Sequence, residues 1–146
     1  MWIPDWSRRG KMNLYVIPRE RWFEQEFLTS AFAPSATIVD WREDFLKTAR
    51  KTQKRLDLTI DTEKARLTRI GDADKKIFAV INTEYLLARF DENRRREFWI
   101  SMWNDYPHLN GVVLFCVLDA PALLPENSSL KQWREDGRLF YAADLN

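Results

Sequence analysis

The sequence predicts a single α/β domain with a mainly parallel, five-stranded sheet and helices on both faces. Short apolar runs recur along the chain, and they are continuous rather than alternating, which is typical of strands buried on both faces. Segments with helical spacing separate these runs, and such alternation favours a parallel sheet of crossover units. The length of 146 residues suits one domain over positions 1–146 and a sizeable core without disulfides.

Five strands are predicted, preceded by an N-terminal arm over residues 1–12. They are NLYVIP at Asn13–Pro18, ATIVD at Ala36–Asp40, IFAVI at Ile77–Ile81, GVVLFCVLD at Gly111–Asp119, and RLFYAADL from Arg138.

The predicted helices have recognisable ends. Asp91 is a capping residue for a helix through Tyr106, and Gly137 suits a left-handed cap for a last helix over about 126–136. A helix after Trp41 has an apolar side and a basic side. The region from Leu56 to Ile70 fits either the two arms of a β-hairpin insertion or a continuation of that helix.

Composition and apolar run lengths bear on several classes of protein. The 23 basic and 22 acidic side chains nearly balance, which gives no support to a dedicated nucleic-acid or membrane-surface binder. The apolar runs are much shorter than the ~20 residues of a membrane span, and the first residues lack the apolar core of a signal peptide. We therefore expect a cytoplasmic protein without a membrane partner.

The single cysteine and single histidine carry little chemistry. Cys116 lies inside an apolar run, which favours a buried, unreactive thiol. One cysteine and His108 cannot form a zinc site alone, and no G-x-S-x-G motif is present for a serine hydrolase.

Polar residues at the carboxyl ends of the strands are the candidates for catalysis, because ligands of open parallel sheets bind there. Asp40, Glu84 and Asp119 follow the second, third and fourth strands. If their carboxylates converge, they could hold Mg²⁺ for phosphodiester or phosphate hydrolysis. Asp40 has an alternative role as a helix cap, and Asp119 as a turn residue.

The order of elements resembles a P-loop NTPase core of the AAA type, and the resemblance covers most of the chain. IFAVINTE stands at the position of the Walker B strand, and GVVLFCVLD at that of the sensor strand. Such a family uses a glycine-rich phosphate loop with a lysine and a hydroxyl after the first strand. This chain has PRERWFEQEF there, only 4 glycines in total, and Asn82 where the Walker B aspartate is expected. The resemblance therefore implies a degenerate core that does not hydrolyse ATP and needs no cofactor.

Aromatic and arginine residues predict a partner surface. Seven tryptophans are many for this length, and Trp2 and Trp6 lie in the N-terminal arm. The alternative for any one tryptophan is a place in the core. Arg94, Arg95 and Arg96 occupy the first turns of a helix, where positive charge opposes the helix dipole, so either a partner's anion or the neighbouring acids should pair with them.

We therefore predict a non-catalytic accessory subunit that binds a larger protein partner or forms a homo-oligomer. Small proteins of this kind resemble subunits of larger bacterial assemblies, including systems that defend against phage. A magnesium-dependent nuclease or phosphohydrolase is the first alternative. The second is a nucleic-acid-binding module that uses the basic side of the helix after Trp41, which is the run Lys47, Arg50, Lys51, Lys54 and Arg55.

Overall fold

The structure is a computed structural model that describes residues 2, 12–52, 63, 65, 67, 68, 76–105 and 111–142. Its centre is a parallel β-sheet. All five strands are parallel, in the order β2-β3-β4-β1-β5. The strands are β1 (Met12–Ile17), β2 (Thr37–Asp40), β3 (Ile77–Ile81), β4 (Val112–Leu118) and β5 (Leu139–Tyr141). The predicted α/β domain with a five-stranded sheet is thus confirmed.

Helices lie on both faces of this sheet, as predicted. A 3-10 helix (Arg19–Glu24) leads into α1, and four further helices are described. The helices are α1 (Gln25–Phe32), α2 (Trp41–Thr52), α3 (Glu84–Leu87), α4 (Glu92–Asp105) and α5 (Asn127–Glu135). Among the described residues, no helix is long and apolar enough to cross a membrane.

The direction of each connection explains the two faces. The connection from β1 passes β4 and β3 to reach β2 at the edge, whereas every later connection runs the opposite way. Because β-α-β crossovers are right-handed, α1 must cover one face and the later helices the other. The side chains form two hydrophobic cores, one on each face of the sheet, as this topology requires. In one core, Tyr15 and Ile17 of β1 pack with α1, and in the other, Leu14 and Val16 pack with the later helices.

Tryptophans fill the larger core. Trp99 lies edge-on to Phe115 with ring centroids 5.8 Å apart, and its indole N–H donates to the Leu123 carbonyl at 3.0 Å. The guanidinium of the buried Arg138 lies 4.3 Å from the ring of Trp133 and 4.5 Å from that of Trp103. These indoles therefore serve the core, which is the alternative that the sequence left open.

Two predicted helix ends are present. The Asp91 carboxylate accepts the backbone N–H of Arg94 at 2.8 Å, as an N-cap does. Gly137 has a φ of 71° and follows α5, and the N–H of Arg138 returns to the Trp133 carbonyl at 2.9 Å. This pattern is a Schellman-type C-terminal cap.

The β-hairpin alternative around residues 56–70 is wrong at the positions described there. Glu63, Ala65, Leu67 and Thr68 are helical. Glu63 and Leu67 are buried, and Ala65 and Thr68 are exposed, so burial repeats at a spacing of four rather than two. The alternation of apolar letters in ARLTRI was therefore misleading, and the remaining positions of this segment lie outside the described residues.

The left-handed cap gives a test of the fold. Gly137→Ala should lower the free energy of unfolding by about 1 kcal/mol, because a Cβ disfavours positive φ. Nothing lies within 4 Å of the position that this Cβ would take, so backbone strain alone causes the loss. Urea denaturation measures it. Gly137→Asn is the control and should lose less, since asparagine tolerates this conformation; equal stability of Gly137→Ala and the parent protein would contradict the cap.

Candidate functional site

The carboxyl edge of the sheet is where topology places a ligand crevice. The chain leaves β1 toward one face and the neighbouring β4 toward the other, so the loops after these strands diverge. Asn82, Thr83 and Glu84 follow β3 at the same edge, and Asp40 ends β2. This edge therefore contains the residues that the sequence singled out.

The backbone leaves β3 at Asn82 in a left-handed conformation with φ of 58°. Non-glycine residues seldom adopt this region, although asparagine does so more readily than most. The backbone N–H of Asn82 donates to Oε1 of Gln25 at 2.8 Å. The turn is thereby held by a side chain from α1.

The amide groups of Asn82 and Gln25 then pair with each other. Oε1 of Gln25 accepts the backbone N–H of Asn82, and Nε2 of Gln25 donates to Oδ1 of Asn82 at 2.9 Å. This fixes the orientation of the Asn82 amide, whose Nδ2 donates to Oδ2 of Asp40 at 2.7 Å. We call this connected set of Gln25, Asn82 and Asp40 the amide ladder. It joins α1, β3 and β2 at one point.

Both carboxylate oxygens of Asp40 are occupied. Oδ2 accepts from Asn82, and Oδ1 accepts the backbone N–H of Glu43 at 3.1 Å. The second contact caps α2, which confirms the capping role that the sequence offered for Asp40. The carboxylate thus has two partners from its own chain.

Thr83 connects the same turn to the neighbouring strand. Its side chain is fully buried, and its hydroxyl donates to the Cys116 carbonyl of β4 at 2.5 Å. The sequence placed Thr83 at this strand end but gave it no role, and it gave no indication of Gln25. Gln25 is 57 positions from Asn82, and no local pattern marks such a pair.

Glu84 differs from its neighbours. Its Oε2 is buried and has no hydrogen-bond partner among the described residues. An orphaned buried carboxylate oxygen is costly and calls for a ligand, a water molecule or another compensation. Glu84 is therefore the acid at this edge whose buried carboxylate oxygen lacks a partner in the described part of the chain.

Asp119 is exposed, and its backbone N–H donates to the Ile17 carbonyl at 2.9 Å. This bond joins the end of β4 to the end of β1. Among the residues that the structure describes, no group of three or more His, Cys, Asp or Glu side chains could hold a metal ion. The magnesium site of Asp40, Glu84 and Asp119 stays a prediction.

The chain after β1, where the sequence resemblance would place a phosphate loop, forms a helical turn. Pro18 is extended, with ψ of 148°, and the 3-10 helix starts at the next residue. Within that helix, Nε of Arg21 contacts the Glu24 carboxylate at 3.0 Å. A proline and a tight helix leave few backbone N–H groups free to surround a phosphate.

The three consecutive arginines have partners within the chain. Arg94 contacts Asp91 at 3.8 Å, and Arg96 contacts Glu126 at 2.9 Å and Glu92 at 3.8 Å. The guanidinium of Arg95 donates to the carbonyl of Leu87, which ends α3, and to that of Phe90, which lies three residues beyond it. Pairing with neighbouring acids, one of the two predicted outcomes, is thus present for Arg94 and Arg96, whereas Arg95 bonds to carbonyls. A hollow of about 350 Å³ lies beside Arg95 and Arg96, between α4 and residues 121–126.

The remaining residues that the sequence singled out are the N-terminal tryptophans, the histidine and the basic side of α2. Trp2 stacks on Phe32 of α1 at 5.6 Å with an interplanar angle of 11°, so its ring is engaged by the protein itself. Trp6 lies outside the described residues. So does His108. On the basic side of α2, Lys47 is exposed, while Lys54 and Arg55 lie outside the described residues.

Two exposed phenylalanines were not predicted as functional. Phe23 is 83% exposed and Phe27 is 67% exposed, although both belong to the segment that packs on the sheet. The sequence does show that Phe23 and Phe27 are four positions apart. Because the adjacent Trp22 and Leu28 are also apolar, the sequence could not indicate which side of this helical segment packs on the sheet. Only the structure shows which aromatic side chains face outward.

Comparisons with protein-family models, with curated proteins and with solved structures gave no match to this chain. The function must therefore be argued from the strand-end geometry and from the surface.

The amide ladder predicts that Asn82→Asp destabilises the protein by about 2–4 kcal/mol at neutral pH, because it places two carboxylates in contact and removes a donor. Protonation of either carboxylate relieves this repulsion, so the deficit should shrink as the pH falls toward about 4. Urea denaturation of the variant across pH measures this. Adding Asp40→Asn should restore much of the stability at neutral pH; a deficit unaffected by pH and by Asp40→Asn would contradict the ladder.

Cys116 gives a second test. It is fully buried on β4 with its sulfur 3.2 Å from the Thr29 hydroxyl, and burial raises the pKa of the thiol to about 12. At pH 8 the native thiol should resist Ellman's reagent, and labelling should follow the unfolding curve in urea. Rapid stoichiometric labelling without denaturant would contradict the buried, inert cysteine that the sequence predicts.

Proposed function

We propose that this protein is a non-catalytic interaction subunit of a larger assembly. The observation that carries the proposal is the amide ladder: at the strand end where a nucleotide-hydrolysing core needs a free carboxylate, Asn82 presents an amide. All three polar groups of Asn82 described above bond to Gln25 and Asp40. An amide engaged in this way supplies neither the charge nor the free oxygen that Mg²⁺ prefers.

The start of the fold supports the same proposal. An ATP-hydrolysing core of the type that the sequence resembles binds phosphates with backbone N–H groups after its first strand. Here Pro18 and the Arg19–Glu24 3-10 helix occupy that position. The proposed protein retains a P-loop-like sheet as a scaffold and lacks the parts that bind and cleave ATP.

A magnesium-dependent nuclease or phosphohydrolase is the second candidate, and one observation favours it. The Oε2 atom of Glu84 is buried without a hydrogen-bond partner among the described residues, at the edge of the sheet where substrates bind. A bound cation would satisfy this oxygen. In this candidate function, Glu84 would be the first magnesium ligand.

One experiment with matched variants separates the two candidates. Purified protein and Glu84→Gln, which keeps the shape and removes the charge, are incubated with DNA, RNA and nucleoside triphosphates, with magnesium or with EDTA. We expect no turnover above that of Glu84→Gln or of the EDTA control. Magnesium-dependent hydrolysis that Glu84→Gln lowers by about 100-fold or more would favour the enzyme.

The positive half of the proposal is tested by native copurification of the tagged protein from its host. The interaction subunit should retain one or a few proteins in fixed ratio through two purification steps. A lone monomer in repeated preparations at low salt would contradict the role in an assembly.

A further inference from the structure

The outer side of the helical segment after β1 is apolar where water should meet it. Phe23 and Phe27 are exposed, and the exposed Ala31 continues their line at a spacing of four. We call these three residues the outer stripe. The opposite side of α1 already packs on the sheet through Leu28 and Phe32, so the stripe is not needed for the core.

The helix that carries the stripe is fixed to the sheet at several points. The ring of Phe32 stacks on Tyr15 at 4.5 Å and 8°, the Thr29 hydroxyl contacts the Cys116 sulfur, and the Gln25 amide bonds to Asn82. A rigid helix presents its anchors without a large loss of entropy on binding. The two phenylalanines are therefore suited to be binding anchors rather than a mobile surface.

Acidic side chains border the stripe. Glu20 and Glu26 are exposed, three positions before Phe23 and directly before Phe27, and Glu24 is paired with Arg21 at 3.0 Å, which leaves Arg19 as the opposing charge. The border is therefore acidic on balance. It complements a surface with lysine or arginine and disfavours an anionic membrane.

The area argues against a second copy of this chain as the occupant. A phenylalanine offers about 150–250 Å², so at their exposed fractions the two rings present roughly 300 Å². Two stripes facing each other would bury roughly 600 Å² of ring surface in total, so their borders would have to supply the rest of the ~1,200 Å² of a stable interface. In a dimer those borders are identical and acidic, and they would repel each other. A hydrophobic groove on a different chain can enclose the rings more completely.

We propose that the outer stripe docks into an apolar groove with a basic rim on a partner protein, in the way that an amphipathic helix enters a groove through anchors four residues apart. This inference rests on the proposed function, and it assigns the surface and the chemistry of the partner. Phe23 and Phe27 supply the contact area, and the glutamates supply orientation and selectivity.

Site-specific crosslinking identifies the partner. A photoreactive p-benzoylphenylalanine is placed at position 27 or 23 in the host, with position 100 as the control, because Ile100 is also an exposed apolar residue but lies on α4. Positions 27 and 23 should crosslink the same partner peptide, with basic residues beside it, and position 100 should not. Crosslinks only to another copy of this chain would overturn the proposal.

Binding to that purified partner then tests the chemistry. Phe27→Ser should weaken affinity about 30-fold or more and Ile100→Ser less than about twofold. The joint change Glu20→Lys with Glu26→Lys should weaken binding about 10-fold at about 50 mM salt and much less at about 300 mM. Thermal melts check that each exposed substitution leaves the fold intact.

Two results would overturn the proposal that the outer stripe binds a partner protein. One is undiminished partner affinity in Phe27→Ser, which would leave the proposed interaction function standing with another surface. The other is binding to phosphatidylserine vesicles that Phe27→Ser abolishes, which would make the occupant a membrane. Failure of the proposed function itself is a different result, namely magnesium-dependent turnover that Glu84→Gln removes.

Discussion

The hydrogen-bonded pairing of Gln25 with Asn82 is the interaction on which the carboxyl edge of this sheet depends. It holds a left-handed residue at the end of β3, ties α1 to the sheet, and orients the Asn82 amide toward Asp40. A free acid at that position would repel Asp40 and lose a donor. In the proposed account, the residue that organises the edge is an engaged amide at the position where a hydrolytic P-loop core would need a carboxylate.

The handedness of the crossovers gives the domain two unequal sides. Four described helices cover the face that contains the tryptophan-rich core, whereas the described helices on the other face are α1 and the 3-10 helix that leads into it. Because α1 is fixed by its buried side and by the Gln25 amide, its outer side is presented rigidly. In this account Phe27 is exposed on α1 and Phe23 on the 3-10 helix that leads into it, and the proposed interaction surface follows from the same topology that places the amide ladder.

Features set by local sequence were predictable, and features set by distant contacts were not. Continuous apolar runs located the strands, and Asp91 and Gly137 marked helix ends because caps have local chemistry. The bond between Gln25 and Asn82 joins residues far apart in the chain, so no local pattern indicates it. Trp22, Phe23, Phe27 and Leu28 are apolar on several sides of one short helical segment, and periodicity could not assign an inner side to it.

The most direct test of the claim that the amide ladder leaves no nucleotide or metal site at the end of β3 is the NMR response of the Gln25 and Asn82 side-chain amides to Mg²⁺-ATP. The account predicts well-dispersed NH₂ signals that exchange slowly with water, as paired amides do, and that stay in place as Mg²⁺-ATP is added to millimolar concentration. Saturable shifts at Asn82, Thr83 and Glu84 would show a nucleotide or metal bound at this edge. That result would contradict the non-catalytic account.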